Sequence, residues 1–135
     1  MHNEHPDTDD RERTTPQPRR WQRGPFCHER LDAFVVAKQA LGRGDAIGRA
    51  LPRGYAPLAD QLRRALLHAY CGVAEAAARS GADRRARFRT ARGEAGEAAA
   101  ALDAVVMLEL GNVAEARAVI DLLARLCAML TRLCR

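Results

Sequence analysis

Five arginines fall within nine residues of one short segment, RRARFRTARGEAGE, which spans residues 84–97. On a helix, Arg85, Arg89 and Arg92 share one face, because they are spaced four and three residues apart. A guanidinium group presents a planar fork of N–H donors that suits phosphate oxygens. The predicted nucleic-acid-binding set is Arg79, Arg84, Arg85, Arg87, Arg89 and Arg92. The alternative is a solvated helix face on which these arginines pair with nearby carboxylates.

Two glutamates, Glu75 and Glu97, are expected on facing helices, where paired carboxylates could do acid–base work or bind a metal. His68 lies seven residues before Glu75 and could reach the same face, but the Glu-x-x-His spacing of four-helix di-metal sites is absent. A buried carboxylate needs a partner, and arginine is an ordinary one. We therefore predict structural ion pairs that fix helix register, formed among Arg64, Glu75, Arg92 and Glu97.

None of the four cysteines, Cys27, Cys71, Cys127 and Cys134, belongs to a CxxC pair. Cys127 and Cys134 share a helix face, but zinc would need two further ligands, for which only Cys71 or His68 could serve. We predict reduced cysteines, with those on helices in apolar positions, and no metal or cofactor. No Gly-rich phosphate loop, Ser-His-Asp order or HExxH motif occurs, so no catalytic residue is predicted and a non-enzymatic role is expected.

The composition predicts one all-α domain. The chain has 135 residues, of which 47% are hydrophobic, enough for a single core. Ala and Leu, which are strong helix formers, dominate this set, while aromatic residues make up only 4%. The formal net charge is +5, and residues 1–25 contribute none of it. A basic domain at 26–135 attracts polyanions by neutralising phosphates and releasing counterions.

Residues 1–25 are polar and rich in proline, which predicts a disordered tail ahead of the domain. Trp21 lies in this tail among arginines, where it either stacks on a base or packs loosely on the domain. The tail lacks the apolar core of a signal peptide, and no apolar run is long enough to span a membrane. A cytoplasmic location is therefore expected.

Apolar residues that recur every three or four positions predict four helices. The first runs from about residue 28 to between 41 and 50, the second from 58 to 79, the third from 84 to 110, and the fourth from 113 to nearly the end. Asp83 is expected to cap the third helix, and Gly111 with Asn112 to end it. Short loops between long helices favour an antiparallel up-down four-helix bundle.

The last helix carries two apolar stripes, whereas one bundle core needs a single stripe. The first consists of Ala116, Ile120, Leu123, Cys127, Leu130 and Cys134. The second consists of Val119, Leu122, Leu126, Met129 and Leu133. We predict that the second stripe forms an interface between copies of the chain. A symmetric ring of subunits would repeat the arginine cluster and strengthen its electrostatic field.

Two segments, LADQLRRALLHAYCGVAEAAARSG at 58–81 and RFRTARGEAGEAAAALDA at 87–104, resemble a bacterial family. This is the four-helix bundle family encoded in intervening sequences of 23S rRNA, which includes the accessory variability protein of diversity-generating retroelements. The matching residues are Gln61 to Ala65, Val73, Ala74, Glu75 and Arg79, and then Phe88, Ala91, Arg92, Gly93 and Glu97. His68, Gly72, Ala76 and Glu94 stand where the family pattern has Ser, Asn, Gly and Ser.

The resemblance implies a homopentameric barrel of four-helix bundles with a basic surface. In the retroelement branch of the family it also implies binding to a reverse transcriptase and to RNA. The expected function is thus that of a non-enzymatic pentameric bundle that binds RNA or DNA through its Arg-rich surfaces, as an accessory factor of a reverse transcriptase. The alternative is a structural adaptor, in which the same oligomer binds a protein and the positive charge is incidental.

Overall fold

The computed structural model describes residues 24–135, so the predicted tail up to position 23, Trp21 included, lies outside the described residues. Within that range the chain forms four α-helices and no strand: α1 Asp32–Arg49, α2 Ala56–Ala77, α3 Gly81–Met107 and α4 Val113–Leu133. Short 3-10 turns at Cys27–Arg30 and Arg53–Tyr55 precede α1 and α2. The prediction of an all-α four-helix bundle is confirmed. None of the described helices is long and apolar enough to cross a membrane.

Helix α1 continues to Arg49 despite three internal glycines, because two of them are buried where α1 crosses α2. A Cβ atom at Gly44 would lie 2.5 Å from Leu66 Cδ1, so the missing side chain allows the two helices to approach closely. Helix α3 begins at Gly81 rather than at residue 84. Gly81 takes a φ of 59°, a left-handed conformation open to glycine, which turns the chain sharply after α2.

The prediction that Asp83 caps α3 is wrong. Ser80 occupies the N-cap position, and Asp83 lies in the first turn, where its carboxylate contacts arginines instead of backbone N–H groups. Helix α3 also ends earlier than predicted. Glu109 takes a φ of 53°, and the Leu110 N–H donates back to the Val105 carbonyl at 3.0 Å. Asn112 belongs to α4, because its Oδ1 accepts the Glu115 N–H at 3.0 Å as an N-cap.

The helices pack as an antiparallel square. Helix α1 packs beside α2 and α4, and helix α3 packs beside the same two, whereas no Cα atoms of the diagonal pairs lie within 8 Å of each other in the described chain. The start of α1, the end of α2, the start of α3 and the end of α4 therefore meet at one end. We call residues 24–40, 67–93 and 124–135 the basic half, and residues 41–66 and 94–123 the opposite half.

One chain buries both stripes of α4. Val119 and Leu126 are fully buried, and Leu122 is 8% exposed, because α4 faces α1 on one side and α3 on the other. Met129 and Leu133 are partly buried against the same core. The premise of the predicted subunit interface, apolar surface in excess of what one chain can hide, is therefore wrong. These five side chains contact their own bundle.

Candidate nucleic-acid interface

Charge is divided unevenly along the bundle axis. The basic half carries eleven basic and four acidic side chains, whereas the opposite half carries six basic and eight acidic ones. The whole positive excess of the described residues thus lies in one half of the molecule. Such a concentration of one sign of charge attracts polyanions and is screened only beyond about 8 Å at physiological salt.

Two of the six predicted arginines are neutralised by carboxylates. Arg87 Nη1 lies 2.6 Å from Glu75 Oε1, and its Nε lies 3.2 Å from Asp83 Oδ1. Arg79 lies 3.6 Å from Glu75 and 3.8 Å from Asp83. These four half-exposed side chains form one network that joins the end of α2 to the start of α3. Their formal charges cancel, so the network adds little to the positive field.

Arg84 has a structural role. Its guanidinium carbon lies 5.0 Å from the ring centroid of Phe88, which is fully buried. Its Nη1 donates a hydrogen bond to the Ala77 carbonyl at 3.2 Å. The side chain therefore satisfies a carbonyl at the end of α2 and covers the edge of the core with a cation–π contact.

The remaining three arginines follow one side of α3. Arg92 Nη1 donates to Thr131 Oγ1 at 3.2 Å, a neutral partner that leaves its charge uncompensated. The side chains of Arg85 and Arg89 have no ion pair or hydrogen bond within residues 24–135. At a rise of about 1.5 Å per residue, the three span roughly 10 Å of the helix. We call Arg85, Arg89 and Arg92 the arginine row.

Two arginines outside the predicted set, Arg132 in the last turn of α4 and Arg135 just after this helix, lie at the same end of the molecule as the row. The contact of Arg92 with Thr131 sets the register between the antiparallel helices α3 and α4. Arg132 and Arg135 therefore lie at the same end of the molecule as Arg89, and neither has a side-chain partner in the described chain. Only the antiparallel pairing brings these distant residues together, and periodicity along one helix carries no such signal.

The structural ion pairs differ from the predicted ones. Glu75 pairs with arginines, as expected, but with Arg79 and Arg87, and its side chain is 51% exposed rather than buried. Glu97 accepts a hydrogen bond from Gln61 Nε2 at 3.4 Å and forms no ion pair with any residue from 24 onwards. The side chain of Arg64 has no partner among the described residues. Arg92 cannot reach Glu75, because it lies on the α4 side of α3 while Arg87 lies on the α2 side.

Two positions that depart from the family pattern contact each other. His68 Nδ1 lies 3.9 Å from Glu94 Oε1, between α2 and α3. A third such position, Gly72, lies on the same contact, where a Cβ atom would be 3.2 Å from the Ala91 Cβ. The departures are therefore grouped along one helix pair.

Two ion pairs in the opposite half cross between helices. Arg43 of α1 makes two hydrogen bonds to the Glu115 carboxylate of α4, at 2.6 and 3.0 Å. The hydrogen bond from Arg43 lowers the pKa of Glu115 below its ordinary value and raises that of Arg43. Asp45 accepts from Arg63 of α2 at 2.8 Å, which raises the pKa of the Arg63 guanidinium. Three of the six arginines in this half, Arg43, Arg49 and Arg63, thus have a carboxylate partner.

All four cysteines are free thiols. Cys127 and Cys134 are partly buried, as predicted, but Cys71 is exposed, so the prediction of an apolar position is wrong for this residue. Cys27, which precedes α1, is exposed as well. Burial raises the pKa of the Cys127 thiol, whose Sγ lies 3.9 Å from the Arg92 carbonyl oxygen. The described residues contain no group of three or more His, Cys, Asp or Glu side chains placed to hold a metal ion.

No family model matches the sequence, and no curated protein shows significant similarity to it. The resemblance to the family of the 23S rRNA intervening sequences therefore rests on the motifs at 58–81 and 87–104 alone.

Proposed function

We propose that this protein is a non-enzymatic nucleic-acid-binding bundle whose contact surface is the arginine row. The observation that supports this is the difference between neighbouring arginines. Arg79 and Arg87 are neutralised by Glu75 and Asp83, whereas the row has no carboxylate partner within residues 24–135. Guanidinium groups without an internal partner keep their donors available for phosphate oxygens. The chemistry is that of backbone recognition, with no base-specific contact required.

The arginines of the opposite half argue against the alternative that the arginine row is only a solvated helix face. If the arginines of α3 served only solubility or helix stability, we would expect them to be matched by acidic neighbours. That is the case for Arg43 and Arg63, each of which pairs with a carboxylate on another helix. The opposite half thus pairs three of its six arginines, Arg43, Arg49 and Arg63, with carboxylates, whereas none of the three in the arginine row has such a partner in the described chain.

The test is a titration of labelled RNA hairpin and DNA duplex at increasing salt, followed by fluorescence anisotropy. Replacing Arg85, Arg89 and Arg92 together by glutamine should reduce the slope of log affinity against log salt by about 3, roughly one for each lost phosphate contact. A matched control replaces Arg53, Arg64 and Arg117, which are exposed in the opposite half. An equal loss of slope in the control would exclude the arginine row as the site.

The family resemblance adds further predictions to this proposal. It implies assembly into a ring of five subunits, and partnership with a reverse transcriptase and its RNA. Native mass spectrometry would then give a particle of about five times the 14.8 kDa chain mass. Val119, Leu122 and Leu126 are occupied by the core of their own bundle, so contacts between subunits would have to come from other surfaces.

One observation favours the structural adaptor as a second candidate. Met107 and Leu108 are 74% and 53% exposed at the end of α3, in the opposite half. Two adjacent apolar side chains held in water at a helix end are a plausible protein contact. The titration separates the candidates, because an adaptor with incidental charge would bind neither nucleic acid at low salt.

A further inference from the structure

A ladder of four aromatic rings leads from solvent into the core of the basic half. The ring of Phe26 stacks on His28, with centroids 5.6 Å apart and 12° between the planes. His28 meets Phe34 edge-on at 4.5 Å, and Phe34 packs against Tyr70 at 4.9 Å. Because Phe34 is buried in the core, the two outer rings are held in place from within.

The outermost ring of the ladder is open to solvent. Phe26 is 62% exposed, whereas the other phenylalanine and tyrosine rings of the described chain are buried or half-buried. Burying a phenylalanine side chain away from water stabilises the folded state. A ring that is braced by His28 on one side and left exposed on the other forgoes much of this gain, and it offers a flat apolar face in a fixed orientation.

The ladder and the arginine row lie at the same end of the molecule. Phe26 and His28 precede α1, and the row begins near the start of α3, on the diagonal helix of the square. Neighbouring helix axes in such bundles lie about 8–10 Å apart, so diagonal axes are on the order of 14 Å apart, and side chains on the outer faces of the two helices lie further apart than the axes. A single strand of several nucleotides covers that distance.

We infer that Phe26, braced by His28, is a stacking platform for an unpaired nucleobase, and that the protein therefore prefers single-stranded nucleic acid to duplex. This inference rests on the proposed function, since the arginine row would hold the phosphates of the same strand. Every base presents a flat π-face, so stacking tolerates any sequence. In a duplex the bases are already stacked and paired, and the ring cannot reach a free face.

The experiment compares two ligands that carry the same phosphates. One is a single-stranded oligothymidylate of twelve nucleotides, and the other is an abasic oligomer of equal length. Wild-type protein should bind the first about 5- to 150-fold more tightly, the range of one stacked base. Phe26→Ala should abolish this preference, while Phe26→Tyr keeps it, because the phenol ring retains the flat face. Leu108→Ala, an exposed apolar residue in the opposite half, is the matched control and should keep it as well.

The outcomes separate this inference from the proposal on which it rests. Equal affinity of the wild type for both oligomers, or a preference retained by Phe26→Ala, would overturn the stacking platform. If substitution of the arginine row still flattened the salt slope in that case, the proposed function would stand. Failure of the wild type to bind either oligomer or the duplex at low salt would overturn both. Circular dichroism of each variant shows whether the helices are retained.

Discussion

Arg87 of α3 donates to Glu75 of α2 at 2.6 Å, and this contact determines which arginines of the segment 84–97 keep an uncompensated charge. Arg87 projects towards α2, where Glu75 lies. Arg85 is only two positions away, but about 200° of helix rotation turns it towards the other side of α3. Two identical side chains in one run thus have different chemistry, because one reaches a carboxylate and the other does not.

Replacing Glu75 by glutamine should leave Arg79 and Arg87 with Asp83 as their remaining carboxylate, and so add one positive charge to the surface. Nucleic-acid affinity should rise and its salt slope should steepen by about 1, for one additional phosphate contact. The free energy of unfolding should change by less than about 1 kcal/mol, because the network is half-exposed. Glu97→Gln makes the same change of charge in the opposite half, next to Gln61 only. An equal gain for Glu97→Gln would show that net charge, rather than release of the arginines, is responsible.

Two glycines of α1 should respond to alanine in opposite ways. Gly42 has no atom within 4 Å of a built Cβ, so Gly42→Ala should stabilise the helix by up to about 1 kcal/mol. At Gly44 the new Cβ would lie 2.5 Å from Leu66 Cδ1 in the packed core. Gly44→Ala should therefore destabilise the protein by about 1–3 kcal/mol through overpacking. Urea unfolding of the two variants tests the close approach of α1 and α2. Equal changes of the same sign in the free energy of unfolding would contradict it.

Truncating Leu126 distinguishes a core residue from a subunit contact. Leu126 is fully buried within one chain, so Leu126→Ala should lower the free energy of unfolding by about 2–5 kcal/mol. The loss should be the same at every protein concentration, since the cavity forms inside the bundle. Thermal melts over a hundredfold range of concentration provide the measurement. An effect that shrinks or grows with concentration would restore Leu126 to an interface.

Stability should depend on acid pH through the contact of Arg43 with Glu115. The hydrogen bond from Arg43 lowers the pKa of Glu115 in the folded state below its ordinary value of about 4.5. Its stabilising contribution is therefore present above that value and is lost as the pH falls through the lower, folded-state pKa. The free energies of unfolding of the wild type and of Glu115→Gln should differ at neutral pH and converge in acid. Arg43→Gln breaks the same pair from the other side, and its free energy of unfolding should converge with that of the wild type in the same way. A difference from the wild type that stays constant with pH, for either variant, would refute the linkage.

Periodicity predicted the four helices well, because each buries an apolar face with a repeat of three and four residues. It could not tell how many neighbours α4 has. A helix in a square bundle faces two others, so Val119 and Leu126 belong to one wide buried surface. The shared face of Arg85, Arg89 and Arg92 was also predictable, since it depends on spacing alone. The pairing of Arg87 with Glu75, and the stack of Phe26 on His28 above Phe34 and Tyr70, depend on helix rotation and long-range contacts.

The division of charge between the two halves makes the bundle an electric dipole directed along its axis. A rod of this kind turns in the field of a polyanion until its positive pole leads, so first encounters would occur end-on and before any contact forms. In that orientation the tip that bears Met107 and Leu108 points away, and it is accessible to a second molecule at the same time.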